Sequence, residues 1–334
     1  MASEAPPAQL YLDQKDWIAL ARLRAGKPVS DGLREAATAL ATEISKGNVV
    51  VPFSESHVLE TGRISDRAKR QSVATMIVAG SRRHAIAPLH TLCREEADAF
   101  LRLRFGAVVD AVPAPFGKGL AFALGLNYDE LEVPWPPDSP ESDVAMAEMF
   151  AIAEPSRIGL SAADIERRRR WDEWATIMMS ASESLIKDRS RFNERDRLSA
   201  LTVAMLGNAL LHRAIGLDVH RPYLEYLRTE GFWAVVREMP SLAVLTELHR
   251  VRYPDVKSPW TVNDYHDIRF LSVALAYCSA VCPDKRWGDL AQRSEYIANR
   301  GVIIATGQNA LAYALRELGG RGLPVAQGHP PNAT

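Results

Sequence analysis

Short apolar runs alternate with amphipathic stretches over the first hundred residues of the chain. Each apolar run has the length and composition of a buried strand, and each stretch between them repeats its apolar residues at helical spacing. The predicted strands are 10–13, 49–52 and 85–88, and the predicted helices are 14–26, 31–46, 54–64, 66–80 and 91–105. Strands that alternate with helices predict a parallel sheet covered by helices on both faces.

The same alternation returns only near the end of the chain. It predicts strands at 279–282 and 302–305 and helices at 264–278, 287–299 and 309–318. Between the two parts, residues 106–145 are rich in Gly and Pro, which is typical of irregular structure. Helical patterns then follow over 161–187, 194–215, 221–228 and 240–250.

A parallel sheet needs all its strands to bury both of its faces, so the two strand-containing parts should form one domain. We therefore expect an α/β fold with a central five-stranded parallel sheet flanked by helices, and an inserted all-α subdomain. The predicted boundaries are 1–105 plus 250–318 for the discontinuous sheet domain and 106–249 for the mostly helical insertion. Residues 319–334 are predicted to be a flexible tail.

Composition narrows the class of protein. Hydrophobic residues make up 47% of the 334, enough for a large core, and the net charge of −1 excludes a strongly basic nucleic-acid coat. The three cysteines form no CxxC pair, which favours a reduced, cytoplasmic location. The N-terminus lacks the pattern of a secretory signal, and no apolar run is long enough to predict a membrane partner.

Acidic residues stand where the predicted strands end. Asp13 ends the first strand, Asp284 follows the fourth, and Glu60 lies on the helix after the second. Asp264 and Asp267 fall in the first turn of a helix, on one face. Ligands of open α/β sheets bind beyond the carboxyl ends of the strands, and clustered carboxylates suit Mg²⁺ or Mn²⁺. The pattern therefore predicts a divalent-metal site.

Ordinary structural roles compete with this interpretation. Asp264 is among the favoured helix N-caps, and Asp267 near a helix N-terminus complements the helix dipole. Glu60 could lie on a solvated helix surface. These alternatives stay open for each acid taken alone.

Taken together, these segments resemble a PIN-like metal-dependent nuclease domain. The family's first acid follows its first strand, as Asp13 does in LYLDQKDW, and its second lies on a later helix, as Glu60 does in VVVPFSESHVLETGR. The third opens the helix that leads into the fourth strand, where Asp267 matches best and Asp264 competes. The fourth acid ends that strand, as Asp284 does. The resemblance covers about 1–105 and 255–310.

The resemblance implies Mg²⁺- or Mn²⁺-dependent hydrolysis of phosphodiesters, with RNA favoured over DNA as partner. It implies catalytic roles for Asp13, Glu60, Asp267 and Asp284, and Asp264 as an additional metal ligand. An endoribonuclease, such as a toxin or defence effector, is the expected function. The family often has a small hydroxyl residue and Asn after its first acid, where this chain has Gln14 and Lys15. Two other functions stay open: a catalytically inactive PIN-like scaffold and a small-molecule phosphohydrolase.

Basic residues near these acids are candidates for substrate binding. Lys15, His266, Lys285 and Arg286 are neighbours of the acids in sequence, whereas Arg167 and Arg170 belong to a run of four arginines in the helical middle. Phosphate contacts would explain such residues, but a solvated surface explains the arginine run equally well. Packing competes as the role of His266. A homo-oligomer or a regulatory protein partner also stays open.

Overall fold

The computed structural model describes residues 6–109, 112–126, 146–148, 198–199, 202, 210–252 and 260–321 of the chain. By their contacts the residues divide into two compact units. The first comprises Met1–Ala87, Phe116–Leu160 and Tyr277–Thr334, and the second comprises Pro88–Pro115 and Ser161–Ala276. The units are defined by contacts and not by function, so the predicted nuclease domain, helical insertion and tail stay predictions.

The first unit contains a parallel sheet of four short strands. They are β1 (Ala8–Leu12), β2 (Val49–Val50), β5 (Ala280–Cys282) and β6 (Ile303–Ile304), in the order β2-β1-β5-β6. In the centre, Leu10, Tyr11 and Leu12 pair with Ala280, Val281 and Cys282. All of these central residues are buried, so the pairing is embedded in the hydrophobic core. The predicted parallel α/β sheet flanked by helices is confirmed at this level.

The predicted strand at 85–88 forms, but it does not belong to the four-stranded parallel sheet. It appears as β3 (His84–Ile86), which pairs antiparallel with β4 (Phe116–Lys118) in a separate two-stranded sheet. Phe53, just beyond β2, forms one parallel bridge to Ala85. Its N–H donates to the carbonyl of His84 at 3.0 Å, and its own carbonyl accepts from Ile86 at 2.8 Å. The described sheet therefore has four strands rather than five, with β3 beside the chain that continues β2.

Helices flank the sheet of the first unit. They are α1 (Gln14–Arg24), α2 (Asp31–Ser45), α3 (Glu55–Gly62), α4 (Arg67–Ser81), α6 (Gly119–Leu124), α10 (Lys285–Gln292), α11 (Glu295–Ala298) and α12 (Ala310–Gly320). Helix α1 packs on α3 and α4, and α2 packs on α12. Trp17 of α1 and Ile77 of α4 are completely buried in the shared core. The apolar periodicity of the sequence placed α1, α2, α3, α4 and α12 correctly to within a few residues, whereas the single helix predicted over 287–299 is divided into α10 and α11.

The Gly/Pro-rich stretch after residue 105 corrects another expectation. Irregular structure was predicted, but β4 and α6 form there. Gly119, at a φ of 88°, begins the helix directly after the strand, and its N–H donates to the carbonyl of Arg83 at 2.8 Å. Glycine adopts this left-handed conformation without steric cost, so it permits the abrupt change from strand to helix.

The described part of the second unit is helical. Its labelled helices are α5 (Leu89–Phe105), α7 (His220–Arg237), α8 (Pro240–Arg252) and α9 (Val262–Tyr277), which ends at the boundary to the first unit. Glu96 of α5 is buried. Its carboxylate accepts two hydrogen bonds from Ser241, one from the backbone N–H at 3.0 Å and one from the side-chain hydroxyl at 2.7 Å. It thereby satisfies a backbone N–H in the first turn of α8, where no intrahelical acceptor exists. The predicted helix 161–187 and most of 194–215 lie outside the described residues.

Within the described ranges, no helix combines the length and apolar character that crossing a membrane requires.

Tight packing around α10 gives a test of the fold. A Cβ on Gly288 would overlap the Cγ2 of Thr306 and approach the Cγ of Pro283 to 3.2 Å. We expect Gly288→Ala to lower the free energy of unfolding by about 1–3 kcal/mol, the usual cost of overpacking. The measurement is urea unfolding followed by circular dichroism.

The matched control is Gly319→Ala in α12, where a Cβ meets no atom within 4 Å. That change should leave stability unchanged or raise it by up to about 1 kcal/mol, since alanine favours helices. Equal losses in both variants would contradict the packing described for α10.

Candidate functional site

Two of the predicted acids lie at the carboxyl ends of the paired strands β1 and β5. The N–H of Asp13 donates to the carbonyl of Cys282 at 3.3 Å, which continues the pairing to the edge of the sheet. Asp13 is the N-cap of α1 and accepts the N–H of Gln14 at 2.8 Å. Asp284 is the N-cap of α10 and accepts the N–H of Trp287 at 2.8 Å. Both carboxylates therefore stand at the same sheet edge, and each is held by the start of a helix.

The ammonium group of Lys15 occupies this edge. Its Nζ lies 3.5 Å from Oδ2 of Asp13 and 3.0 Å from Oδ2 of Asp16. It also donates to the carbonyl oxygens of Cys282 at 3.3 Å and Pro283 at 3.1 Å. A single cationic group is thus surrounded by four oxygens, two from carboxylates and two from the backbone at the end of β5.

The charges of this cluster influence one another. Burial raises the pKa of Asp16, and the charge of Asp13 adds to the effect, whereas Lys15 opposes it. Loss of solvent acts to lower the pKa of Lys15, but Asp16 and Asp13 outweigh it and raise that pKa. The Lys15 and Asp13 side chains are 42% and 34% exposed. Ion pairs with this much solvent exposure contribute only about 0–1 kcal/mol, so the pair of Lys15 with Asp13 adds little stability by itself.

A buried hydroxyl lies beneath the same edge. The hydroxyl of Tyr11, in β1, lies 3.0 Å from Oγ of Ser54 and 3.4 Å from Oγ of Ser56. Burial raises the pKa of Tyr11, and the negative charges of Asp13 and Glu60 add to that increase. Asp13 and Glu60 thus both act electrostatically on the same buried hydroxyl.

His57 ties the helix that carries Glu60 to the end of β1. Its Nε2–H donates to the carbonyl of Leu12 at 2.8 Å, and its Nδ1 accepts the N–H of Ser54 at 2.9 Å. A backbone N–H can only donate and a carbonyl can only accept, so these partners fix the neutral Nε2–H tautomer. Burial lowers the pKa of His57 to about 4, and the hydrogen bond to Leu12 opposes this shift.

A second contact joins the same elements. The side-chain amide of Gln14, the first residue of α1, donates to the hydroxyl of Thr61 at 2.9 Å, and both residues are buried. With His57, this contact holds α3 against the start of α1. The position of Glu60 relative to Asp13 therefore depends on neutral, buried hydrogen bonds.

The remaining predicted acids belong to α9 in the second unit. Asp264 is buried and accepts the N–H and the hydroxyl of Thr261, at 2.8 and 3.1 Å. The N–H of Asp264 donates in return to the Thr261 hydroxyl at 3.2 Å, so the two residues form a reciprocal cap at the start of α9. This explains Asp264 as a structural residue. Asp267 and His266 are partly buried, and the roles predicted for all three stay predictions.

Lys285 and Arg286 are exposed in the first turn of α10, directly after Asp284. The substrate-binding role predicted for them stays a prediction. Arg167 and Arg170 lie outside the described residues.

Two residues of this site carried no role in the prediction from sequence. Asp16 was assigned no function, and Tyr11 was placed only within the predicted strand 10–13. Asp16 lies three residues after Asp13, a spacing that puts both acids on one face of α1. That spacing could have identified it, whereas no sequence signal showed that the Tyr11 hydroxyl meets serines of another element.

The oxygen atoms around Lys15 are of the kind that bind a hard divalent cation. Carboxylate and carbonyl oxygens are the ligands that Mg²⁺ and Mn²⁺ prefer, and the Lys15 ammonium marks a position that already holds a positive charge. Over the ranges that the structure describes, however, no three His, Cys, Asp or Glu side chains are grouped closely enough to hold a metal ion. A metal bound to the oxygens that surround Lys15 would have to displace its ammonium group.

No protein-family model matches the chain, and no curated protein or solved structure is significantly similar to it.

The neutral state of His57 predicts how stability depends on pH. Its pKa in the folded protein, about 4, lies below the 6.5 of an unperturbed histidine, so the unfolded chain binds the extra proton first. Stability is therefore fully present above pH 6.5 and is lost as the pH falls towards 4. The slope amounts to about 1.4 kcal/mol per pH unit for one proton.

His57→Gln should remove this one-proton slope from the urea-unfolding free energy measured between pH 7 and 4. His249, whose pKa burial lowers to about 3, contributes a slope of its own, which the variant retains. The matched control is His212→Gln, at an exposed helical position. An unchanged slope in His57→Gln would contradict the buried neutral histidine.

Proposed function

We infer that the chain is a divalent-metal-dependent nuclease of PIN-like type that hydrolyses phosphodiester bonds, with RNA as its substrate. The observation that carries the proposal is the placement of Asp13 and Asp284 at adjoining carboxyl ends of β1 and β5, with the Lys15 ammonium beside Asp13. Open parallel sheets bind their ligands beyond these strand ends.

The strand arrangement supports the PIN-like part of the proposal. The order β2-β1-β5-β6 puts the strand before Asp13 beside the strand before Asp284, so the first and fourth acids of the resemblance share one end of the sheet. The bridge between Phe53 and Ala85 lies where a fifth parallel strand would extend the sheet. We therefore propose that β3 is the fifth strand of a PIN-like sheet.

The predicted acids and the exposed basic residues of the first unit each have a definable task in this mechanism. Asp13 and Asp284 would hold the ion, and Glu60 would complete the acidic edge from α3. A bound divalent cation supplies an activated water and neutralises charge on the phosphate. The exposed Lys285 and Arg286 would contact the phosphate backbone of the substrate. Participation of Asp267, with Asp264, rests on the resemblance alone.

One observation favours a second candidate function. The Lys15 ammonium already balances Asp13 and Asp16 and satisfies two backbone carbonyls. A chain in which this lysine permanently replaces the metal would be a PIN-like scaffold that binds RNA or a protein without cleaving it.

Cleavage assays with single-stranded RNA, single-stranded DNA and duplexes test the proposal. We expect cleavage of RNA that requires Mg²⁺ or Mn²⁺ and falls roughly 100-fold or more in Asp13→Asn and in Asp284→Asn. A metal stabilises transition-state charge by several kcal/mol, and each 1.36 kcal/mol is tenfold in rate.

The matched control is Asp66→Asn. Asp66 is also an N-cap, accepts the N–H of Lys69 at 2.9 Å, and lies at the start of α4. Asparagine caps helices about as well as aspartate, so all three changes preserve the caps. Metal-dependent cleavage that survives both site substitutions would overturn the nuclease proposal. Metal-independent RNA binding without cleavage would favour the scaffold.

A further inference from the structure

Lys15 places a positive charge beside Asp13, one of the two metal ligands of the proposed function. Its Nζ is within 3.5 Å of two carboxylates, Asp13 and Asp16, and of the carbonyls of Cys282 and Pro283. The carbonyls belong to the last residue of β5 and the one after it, so the ammonium bridges the ends of β1 and β5. This oxygen environment resembles that of a hard cation more than that of a surface ion pair.

We propose that Lys15 is a built-in counter-ion that holds the metal position in the metal-free protein and is displaced when a divalent cation binds. The inference rests on the proposed function, because it presumes that Asp13 and Asp284 are metal ligands. It adds a regulatory element that the resemblance does not supply, since the family pattern often has small polar residues where this chain has Gln14 and Lys15.

The geometry makes displacement feasible. The Lys15 side chain is 42% exposed, so the ammonium can move into water without crossing the core. Its backbone stays fixed in the first turn of α1, whose N-cap is Asp13. A flexible four-carbon stem can therefore move the charge away while the helix and its cap keep their places.

Displacement also explains how charge balance is maintained. Without a cation, the carboxylates of Asp13 and Asp16 would repel each other. The Lys15 ammonium lies within 3.5 Å of both carboxylates and balances their charge in the metal-free state, and a divalent ion would do so in its place. Metal and ammonium thus compete for the same oxygens of Asp13, and the cost of removing Lys15 weakens metal binding.

The test is Mn²⁺ binding by isothermal titration calorimetry to the unaltered protein and to Lys15→Met, which keeps an unbranched side chain one atom shorter and removes its charge. We expect Mn²⁺ to bind about tenfold more tightly to the variant, which corresponds to about 1.4 kcal/mol. The matched control is Lys46→Met. Lys46 also forms an ion pair, 2.9 Å from Glu43, but it caps the end of α2 just before β2 begins, away from the carboxyl ends.

A second measurement uses the unaltered protein. Acylation of lysines by an amine-reactive ester, mapped by mass spectrometry, should increase at Lys15 when Mn²⁺ is added and stay constant at Lys46. This reports on displacement even if Lys15→Met proves unstable.

The outcomes separate this inference from the proposed function. Equal Mn²⁺ affinity in the unaltered protein and in Lys15→Met would contradict the counter-ion role of Lys15. Unchanged acylation of Lys15 with Mn²⁺ bound would contradict it as well. Neither result would contradict the metal site. Absence of Mn²⁺ binding in both proteins would overturn both. Tighter binding in Lys15→Met that disappears in the double variant with Asp13→Asn supports both.

Discussion

The parallel pairing of β1 with β5 is the constraint on which the candidate site depends. It aligns Leu10, Tyr11 and Leu12 with Ala280, Val281 and Cys282, residues from opposite ends of the chain. All six are buried, so the pairing is maintained by the hydrophobic core. The residues that follow the two strands, Asp13 and Asp284, must then share one edge. Carboxylates gathered in this way need a positive charge nearby, and the structure provides it through Lys15.

Two layers of different chemistry meet at this edge. Beneath it, Tyr11, His57 and Gln14 form neutral, buried hydrogen bonds that hold α3 to β1 and α1. Above it, Lys15 and the acids form a charged and partly exposed layer. Buried hydrogen bonds are costly to break, whereas exposed ion pairs exchange readily. The arrangement therefore combines a buried, neutral frame with a charged cluster that is partly exposed.

The sequence predicted the frame better than the chemistry at its edge. Apolar runs and helical spacing identified β1, β2, β5 and β6 and most of their helices. Residues that become buried are apolar, and along the chain they recur with the period of the element that buries them. The strand β3 was also found, but its antiparallel partner β4 was not, because its pairing uses residues in a stretch rich in Gly and Pro. Pairing partners depend on contacts distant in sequence, which no local pattern records.

The same distinction holds for the site. The acids Asp13 and Asp284 were recognisable from their places after strands, and their location at one edge follows from the parallel sheet. Asp264 is explained by its reciprocal cap with Thr261, a role that the sequence analysis had weighed as a simple N-cap. The contact of Lys15 with the carbonyls of Cys282 and Pro283 was not predictable, because it depends on the relative position of two strands from distant parts of the chain.

The central claim is that the carboxyl edge of β1 and β5 is a cation-binding site. Anomalous diffraction from crystals soaked in Mn²⁺ tests it most directly. The account predicts one anomalous peak within about 2.5 Å of carboxylate oxygens of both Asp13 and Asp284, with the Lys15 ammonium moved away from Asp13. Crystals at saturating Mn²⁺ that show no peak there, with Lys15 still bridging Asp13 and the carbonyl of Pro283, would contradict it.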